Sequence, residues 1–316
     1  MSGFDAGWLA LREPFDAAAR DGALARCFIS AVVARASMRT TGSTPDAASP
    51  VGTAPTAWRP GAARMVDLAA GAGANLRVLA PQIPGDQDWL LVDHDPQLIA
   101  AQAGALGRWA GAQGWHCSAA AGGLLIDTGR AQWRVRARRL DLQTSFDQLH
   151  LGCFDGVTTT AFLDLVSDAW LERLADRVAA AALPLLATLT VDGRREWQPP
   201  ADGDAAIAAA FERHQRGDKG FGASVGPAAA AALLAKLDAR GYRTQSARSD
   251  WRIEAGQDGM LLRMVDECAA VADSTLSAEG ALVDPVNQWA MLRRRQAAAG
   301  TLTLQVGHRD VVALPA

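Results

Sequence analysis

Residues with chemical potential are densest in this 316-residue chain between Val66 and Asn75, which reads Val-Asp-Leu-Ala-Ala-Gly-Ala-Gly-Ala-Asn. Glycine and alanine let a backbone approach a ligand closely, and glycine takes positive φ without strain. A helix opening at the end of such a turn presents free N–H groups to a carboxylate or a phosphate. Ala69, Gly71, Gly73 and Asn75 are therefore candidate ligand contacts. The dinucleotide pattern G-x-G-x-x-G requires a third glycine, and Leu76 stands in its place. Asp67 points the same way. An acid inside the loop repels a pyrophosphate, but it can pair, directly or through water, with an ammonium such as that of a methionine moiety.

Two further acids follow apolar runs. Asp93 comes after Trp89-Leu90-Leu91-Val92, where a carboxylate suits bidentate hydrogen bonding to two ribose hydroxyls. The other reading of Asp93 is a helix N-cap, a role Asp95 before Pro96 fills better. His94 would lie against an adenine face or the ribose, or else is a lone exposed imidazole. Asp141, after Arg139-Leu140, can accept from an adenine amino group while the Leu142 N–H donates to the ring; the alternative is a surface-turn acid.

Between residues 191 and 226, charged, amide and imidazole groups gather among glycines: Asp192, Arg194, Arg213, His214, Arg216 and Lys219. Such a segment reads as a polar ligand loop covering a site, or as a solvated loop held by local ion pairs. Arg194, Arg213, Arg216 and Lys219 can pair with carboxylate or phosphate. Trp251, flanked by Asp250 and Arg252, adds an aromatic wall or packs on a sheet. Trp8 and Arg12 near the N-terminus could close over a ligand.

The elements that must position these residues can be read from periodicity. Residues 5–37 are helical in pattern, with Pro14 expected to start a new helix. Ser, Thr, Gly, Pro and Ala dominate from Ser37 to Pro60, as in a linker or exposed loop. Expected strands are 64–68, 89–92, a hairpin of 124–126 with 133–140, then 154–159, 184–191, 242–253 and 302–314. Helices are expected at 75–80, 97–111, 166–181, 227–240 and over most of 258–299. Alternation of strands and helices implies a doubly wound, mostly parallel α/β sheet of seven strands, covered on both faces. Ligands bind beyond the carboxyl ends of such strands, and each acid above falls at one of those ends. The expected organisation is an N-terminal helical lid over 1–37, a linker over 38–62 and a main domain over 63–316, with insertions around 192–226 and 256–299.

Composition narrows the classes. The net charge of −3 gives no basic footprint for nucleic acid. Arg134, Arg136 and Arg138 share a face if their segment is a strand, and read as a solvated sheet edge. The four cysteines have neither C-x-x-C nor zinc-like spacing, so no metal is expected. They read as reduced thiols of a cytoplasmic protein. Met-Ser-Gly-Phe-Asp does not open a signal peptide, and no apolar run is long enough to span a membrane. The expected partner is a small molecule, with neither nucleic acid nor membrane, in a monomer or homodimer.

In order and spacing, the segments around Asp67–Gly73, Asp93 and Asp141 resemble the S-adenosylmethionine-binding motifs of the class I (Rossmann-like) methyltransferases. The resemblance covers about residues 64–192 and departs from the family at Ala69, where a glycine is usual. It implies S-adenosyl-L-methionine as cofactor, with Asp67, Gly71 and Gly73 at its methionine end, Asp93 on the ribose and Asp141 with Leu142 at the adenine. Thr159 and Thr160 would border the sulfonium. The Asn/Asp-Pro-Pro-Tyr tetrad of base-amino methyltransferases is absent, since Thr158-Thr159-Thr160-Ala161 stands there. No cysteine pair for pyrimidine methylation is present, and Cys153 precedes its strand. The activity implied is in-line methyl transfer to a small polar or anionic acceptor bound by Arg194, Arg216, Lys219 and Trp251. A base is needed only if the acceptor carries a proton, and His214, then Asp192, are the candidates. The alternatives are a nicotinamide-dependent oxidoreductase and a non-catalytic adenosine-ligand-binding protein.

Overall fold

A computed structural model describes residues 6–41, 59–278 and 284–316. Most of the linker expected over 38–62 lies outside them. One sheet contains β1 (Ala63–Leu68), β2 (Gln87–Asp93), β3 (His116–Ala120), β4 (Gly123–Asp127), β5 (Gln132–Arg139), β6 (Gly156–Thr160), β7 (Leu185–Gln198), β8 (Arg243–Arg248), β9 (Trp251–Ile253) and β10 (Thr303–Leu314). The order is β3-β4-β5-β2-β1-β6-β7-β10-β8, with β9 pairing β10. Five central strands, β5-β2-β1-β6-β7, are parallel. β10 inserts antiparallel beside β7, and β8 lies beyond it.

The doubly wound class is as expected, but the sheet has ten strands, not seven. β3 is an edge strand whose residues are exposed or half-buried, so it lacks the apolar alternation that marks a strand in sequence. The expected 242–253 strand divides into β8 and β9 around the Ser249–Asp250 bend. The β3–β4 hairpin also moves the sheet edge outward. β5 is therefore internal and Arg136 is buried, in place of the solvated edge expected for the arginine run.

Helices α1 (Ala6–Ala19), α2 (Gly22–Thr41), α3 (Ala74–Leu79), α4 (Pro96–Ala112), α5 (Asp168–Ala180), α6 (Asp204–Gln215), α7 (Ala229–Asp238), α8 (Asp258–Ala278) and α9 (Asp284–Ala298) surround the sheet. β1 and β2 are buried along their whole length. Their alternate side chains supply opposite cores, as the two-residue strand period requires. Val66, Leu68, Leu90 and Val92 pack with Trp170 and Leu174 of α5 and Leu233 of α7. Met65, Trp89 and Leu91 pack with Phe28 of α2, Leu76 of α3 and Leu106 of α4. Each large apolar side chain so buried contributes about 1.5–3 kcal/mol. A third cluster joins Trp8 of α1 to α6, α8, α9 and the first half of β10.

α1 continues through Pro14, and the break falls at Arg20–Asp21 instead. Proline costs a helix one hydrogen bond, but contacts on both sides hold α1 straight through. Glu13 pairs with Arg77 of α3, and Arg12 with Asp16 one turn on. The segment after Val191 is likewise no simple loop. β7 extends to Gln198 along β10, and Asp204–Gln215 is helical. Asp95 caps α4, its Oδ1 accepting from the N–H groups of Gln97 and Leu98.

The seat of α2 on the sheet depends on Gly156 at the start of β6. A Cβ there would stand 2.6 Å from Val32 Cγ2 and 2.9 Å from Phe28 Cζ. Gly156→Ala is expected to lower unfolding stability by about 1–3 kcal/mol through overpacking. Urea denaturation checks this, and an unchanged midpoint would contradict the close seat.

Candidate ligand cradle at the strand ends

β1 ends inside the sheet, and its last turn builds the site. Asp67 is 0% exposed. Its Oδ1 accepts from Asn75 Nδ2 at 2.8 Å, while its Oδ2 has no hydrogen-bond partner. Asn75, also buried, donates to Thr158 Oγ1 at 3.0 Å, and its own Oδ1 accepts from Arg20 Nη1 at 2.5 Å. Arg20 Nη2 donates to Thr160 Oγ1 at 3.2 Å, and Arg20 Nε is buried without a partner. Burial pushes the Asp67 carboxyl up to about 7, although the Asn75 hydrogen bond and the Arg20 charge favour ionisation. Burial also lowers the Arg20 guanidinium from its ordinary value, opposed by Asp16, Asp310 and Asp67.

The loop after Asp67 is wound by left-handed residues: Ala69 at φ +55°, Gly71 at +53° and Gly73 at +82°. A Cβ at Gly73 would make ordinary contact with Leu91 and Leu106, so its left-handed φ is what calls for glycine. Ala69, where the resemblance led one to look for glycine, pays a left-handed cost of about 1–2 kcal/mol. Ala161, directly after β6, and Leu189, in β7, are strained in the same way. Among the described residues Ala182, just before β7, is the fourth such position, so non-glycine strain falls after β1, after β6 and around the first half of β7.

Asp93 is 5% exposed and braces this loop. Its Oδ2 accepts the Gly71 N–H at 2.7 Å and its Oδ1 the Asp95 N–H at 3.0 Å. Each oxygen keeps a second lone pair. His94 is exposed, its Nδ1 3.6 Å from Asp93. Asp141 is exposed and shapes its own turn, accepting from the Gln143 N–H and the Thr144 hydroxyl. Leu142 is buried, and its carbonyl accepts from Trp170 Nε1. Thr159 is buried and donates to the Leu68 carbonyl at 2.8 Å, tying β6 to β1.

α1 lies across the loop. Glu13 receives both arms of Arg77, whose Nη1 also reaches the Ala72 carbonyl. Leu9 Cδ1 is 3.6 Å from where a Gly71 Cβ would be. On its other side Arg12 and Asp16 form a buried pair, with Trp251 Nε1 donating to Asp16 Oδ1. Trp251 packs against Trp8, Phe15 and His308. His308 is buried, and its Nδ1–H donates to the Val306 carbonyl. Burial, then the Arg12 charge, holds His308 down to about 3, so it is neutral at physiological pH.

The residues expected to hold an acceptor fall into two groups. Arg194 is clamped between Asp192 and Asp250 by bonds of 2.6–2.9 Å. Those bonds raise its affinity for a proton and use up its fork. Asp192 Oδ1 would lie 2.1 Å from a Cβ on Gly307, so this clamp needs glycine beside it. His214, Arg216 and Lys219 form a separate, more exposed group at the end of α6. Lys219 Nζ lies 3.3 Å and 3.2 Å from the two His214 ring nitrogens, and Arg216 pairs with Glu212. Their polar contacts are with one another and with Glu212, not with the cradle.

Sequence reasoning missed Arg20, Asp16, His308 and Asp164. Asp164 sits in the turn after β6 and is 6% exposed, with Oδ1 unpartnered. Burial pushes it up to about 6, against its own backbone N–H, the Arg12 charge and the Val191 N–H. Its signal was an acid inside the apolar run Phe162–Val166.

No protein-family model matches the chain, and no curated protein matches it by sequence. Solved structures similar to it include a Haemonchus contortus phosphoethanolamine N-methyltransferase 2 bound to phosphomonomethylethanolamine and S-adenosylhomocysteine. That match has 11% identity and a TM-score of 0.37, and covers 80% of this chain and 49% of the other. The chain thus spans about half the length of that protein. A second is Streptomyces coelicolor geranyl diphosphate C-methyltransferase with Mg2+, geranyl diphosphate and S-adenosyl-L-homocysteine, at 10% identity, coverage of 80% and 72%, and TM-score 0.38. A third is a cyclopropane-fatty-acyl-phospholipid synthase-like protein from Lactobacillus casei, at 14% identity, coverage of 96% and 99%, and TM-score 0.43. The fold assignment stands on the strand order and register of this chain itself.

Asp67 allows a pH test. A carboxyl raised to about 7 in the fold, against an ordinary 3.8, gives its stabilising contribution fully below pH 4 and loses it as pH rises through 7. Asp67→Asn removes that dependence. The stability of the variant relative to wild type is expected to rise by about 3–4 kcal/mol between pH 4 and pH 8. Paired chemical denaturations check it; a difference independent of pH would show that Asp67 ionises normally.

Proposed function

We propose that this protein is an S-adenosyl-L-methionine-dependent methyltransferase acting on a small-molecule acceptor. The observation carrying this reading is a pair of buried, unpartnered atoms of opposite charge in one cradle, Asp67 Oδ2 and Arg20 Nε. Leaving a buried charged group unsatisfied is costly. One ligand group answers both at once, a zwitterionic α-amino acid end. Its ammonium would meet Asp67 and its carboxylate Arg20, with the strained Ala69–Gly73 turn alongside. A pyrophosphate could meet Arg20 but would be repelled by Asp67, which disfavours the nicotinamide reading.

The remaining cofactor contacts follow along the strand ends. Asp93 has lone pairs left for two ribose hydroxyls beside His94. Asp141 and Leu142 mark the adenine end, and Thr159 and Thr160 border the reacting centre. The bound cofactor supplies an electrophilic methyl carbon on a sulfonium. The chain's own task is alignment and exclusion of water. α1, fastened to the loop by Glu13–Arg77 and to β9 by Asp16–Trp251, covers the cradle and does the second. Arg194 and Arg216 are already paired with carboxylates within the chain, which weakens the case for an anionic acceptor, while Lys219 lies beside the His214 imidazole. The cysteines of the described residues are free thiols, and no helix among those residues is long and apolar enough to cross a membrane. Both fit a cytoplasmic enzyme, monomeric or dimeric.

Titration calorimetry separates the two ends of the ligand. Arg20→Ala and Asp67→Asn are expected to weaken S-adenosylhomocysteine by tenfold or more, about 1.4 kcal/mol or above, while adenosine binds as to wild type. Asp93→Ala is expected to weaken both. Stabilisation of the wild type by NAD and not by S-adenosylhomocysteine in thermal unfolding would overturn the proposal.

A further inference from the structure

Asp164 is the second buried acid at the strand ends with an unsatisfied oxygen, and the cofactor reading does not use it. It stands in the turn after β6, three residues beyond the strained Ala161. That turn packs against the middle of β7, where the Val191 N–H faces the carboxylate. The charged group facing it is Arg12 of α1, which donates to Asp16 through Nε and Nη2. The other elements against the turn, α7 and the turn over Gly226–Ala228, bring alanine, leucine and proline to it. Thr160, four residues before Asp164, is bonded to Arg20. The free oxygen therefore lies among mostly apolar neighbours, with Arg12 of α1 facing it.

An unpartnered carboxylate oxygen nine-tenths buried needs a donor. The chain supplies none to Oδ1. We propose that Asp164 Oδ1 receives the reactive group of the methyl acceptor, which is an amine or a hydroxyl and not a carboxylate or phosphate. This rests on the methyltransferase reading and names the acceptor class for the same site. The acceptor nitrogen or oxygen bonds to the methyl carbon as the carbon–sulfur bond breaks, its electron pair remaining on sulfur. The proton the acceptor loses passes to Asp164 Oδ1. Asp164 thus replaces His214 and Asp192 as the proton acceptor. His214 faces Lys219 at the end of α6, and Asp192 is bound in the Arg194 clamp.

Matched probes test the class. Benzylamine, benzyl alcohol and benzoate share one body and differ in the group presented. They are titrated into protein saturated with S-adenosylhomocysteine, and S-adenosylhomocysteine itself is titrated into each variant. Benzylamine is expected to bind wild type best and benzoate worst. Asp164→Asn, which keeps the shape, is expected to weaken benzylamine at least tenfold and leave S-adenosylhomocysteine unchanged. Benzylamine affinity for wild type is expected to rise as pH increases from 5 to 7, as the carboxyl ionises, and to lose that rise in Asp164→Asn. A purely structural role would not produce that change in profile. Benzoate binding as well as benzylamine, undetectable benzylamine binding to wild type, or equal benzylamine affinity in wild type and variant would each overturn the proposal. Failure of wild type to bind S-adenosylhomocysteine would instead strike the cofactor reading beneath it.

Discussion

The site depends on a carboxylate placed where water cannot reach it. Asp67 ends the central strand of a sheet covered on both faces, and the fold meets only half of its demand, through Asn75. That one contact recruits the rest. Asn75 must be buried to reach Asp67, so α3 starts where it does. Thr158 and Arg20 must satisfy the remaining amide groups of Asn75, which draws in β6 and the end of α1. A buried charge is retained against its desolvation cost only where something repays it. Here Asp67 Oδ2 is left without a partner.

Much of this was legible in sequence because local chemistry carried it. The acids at 67 and 93 end apolar runs, which is how a strand end looks along a chain. Gly71 and Gly73 mark turns that need positive φ. Asp95 before Pro96 announces a helix start. What stayed hidden depends on distant parts of the chain meeting. Arg20 follows three alanines and looks like any helix-end arginine until α1 folds over the loop. Asp164 is a single acid in an apolar run, and only the arrival of β7 and α1 removes water from it. Arg194, Arg216 and Lys219 are a different case. Their sequence neighbourhood looked like a ligand loop, yet Asp192, Asp250, Glu212 and His214 already occupy them. Charge density along a chain does not reveal which charges are already paired. β3 was missed for a different reason: an edge strand shares its side chains with solvent, so the apolar alternation that marks inner strands is not required of it.

The strained residues show how the fold distributes cost. Ala69 follows β1, Ala161 follows β6, and Leu189 lies in β7 where its N–H donates to Asp310. Asp310 also accepts the Asp21 N–H, so the joint between α1 and α2 and the bent part of β7 share one buried carboxylate. Gly307, close behind the Asp192–Arg194 clamp, serves the same region by having no side chain. The β10–β7 ladder is irregular, with register shifts at Val306/His308 and Arg309/Val311, while β1 and β2 remain regular and fully buried.

α1 has one further consequence, which concerns where this protein can be cut. Every recognisable motif lies from β1 onward, so a chain trimmed to begin at Ala63 would look complete to anyone reading patterns. It would lack Arg20, Glu13 and the Asp16 that anchors Trp251. Asn75 would lose one of its three partners, the loop its Glu13–Arg77 brace, and Asp164 the Arg12 charge that faces it. Such a fragment would keep the Asp67–Gly73 signature and lose Arg20 and Glu13 from around it. The minimal working unit of this protein is therefore larger than its recognisable sequence.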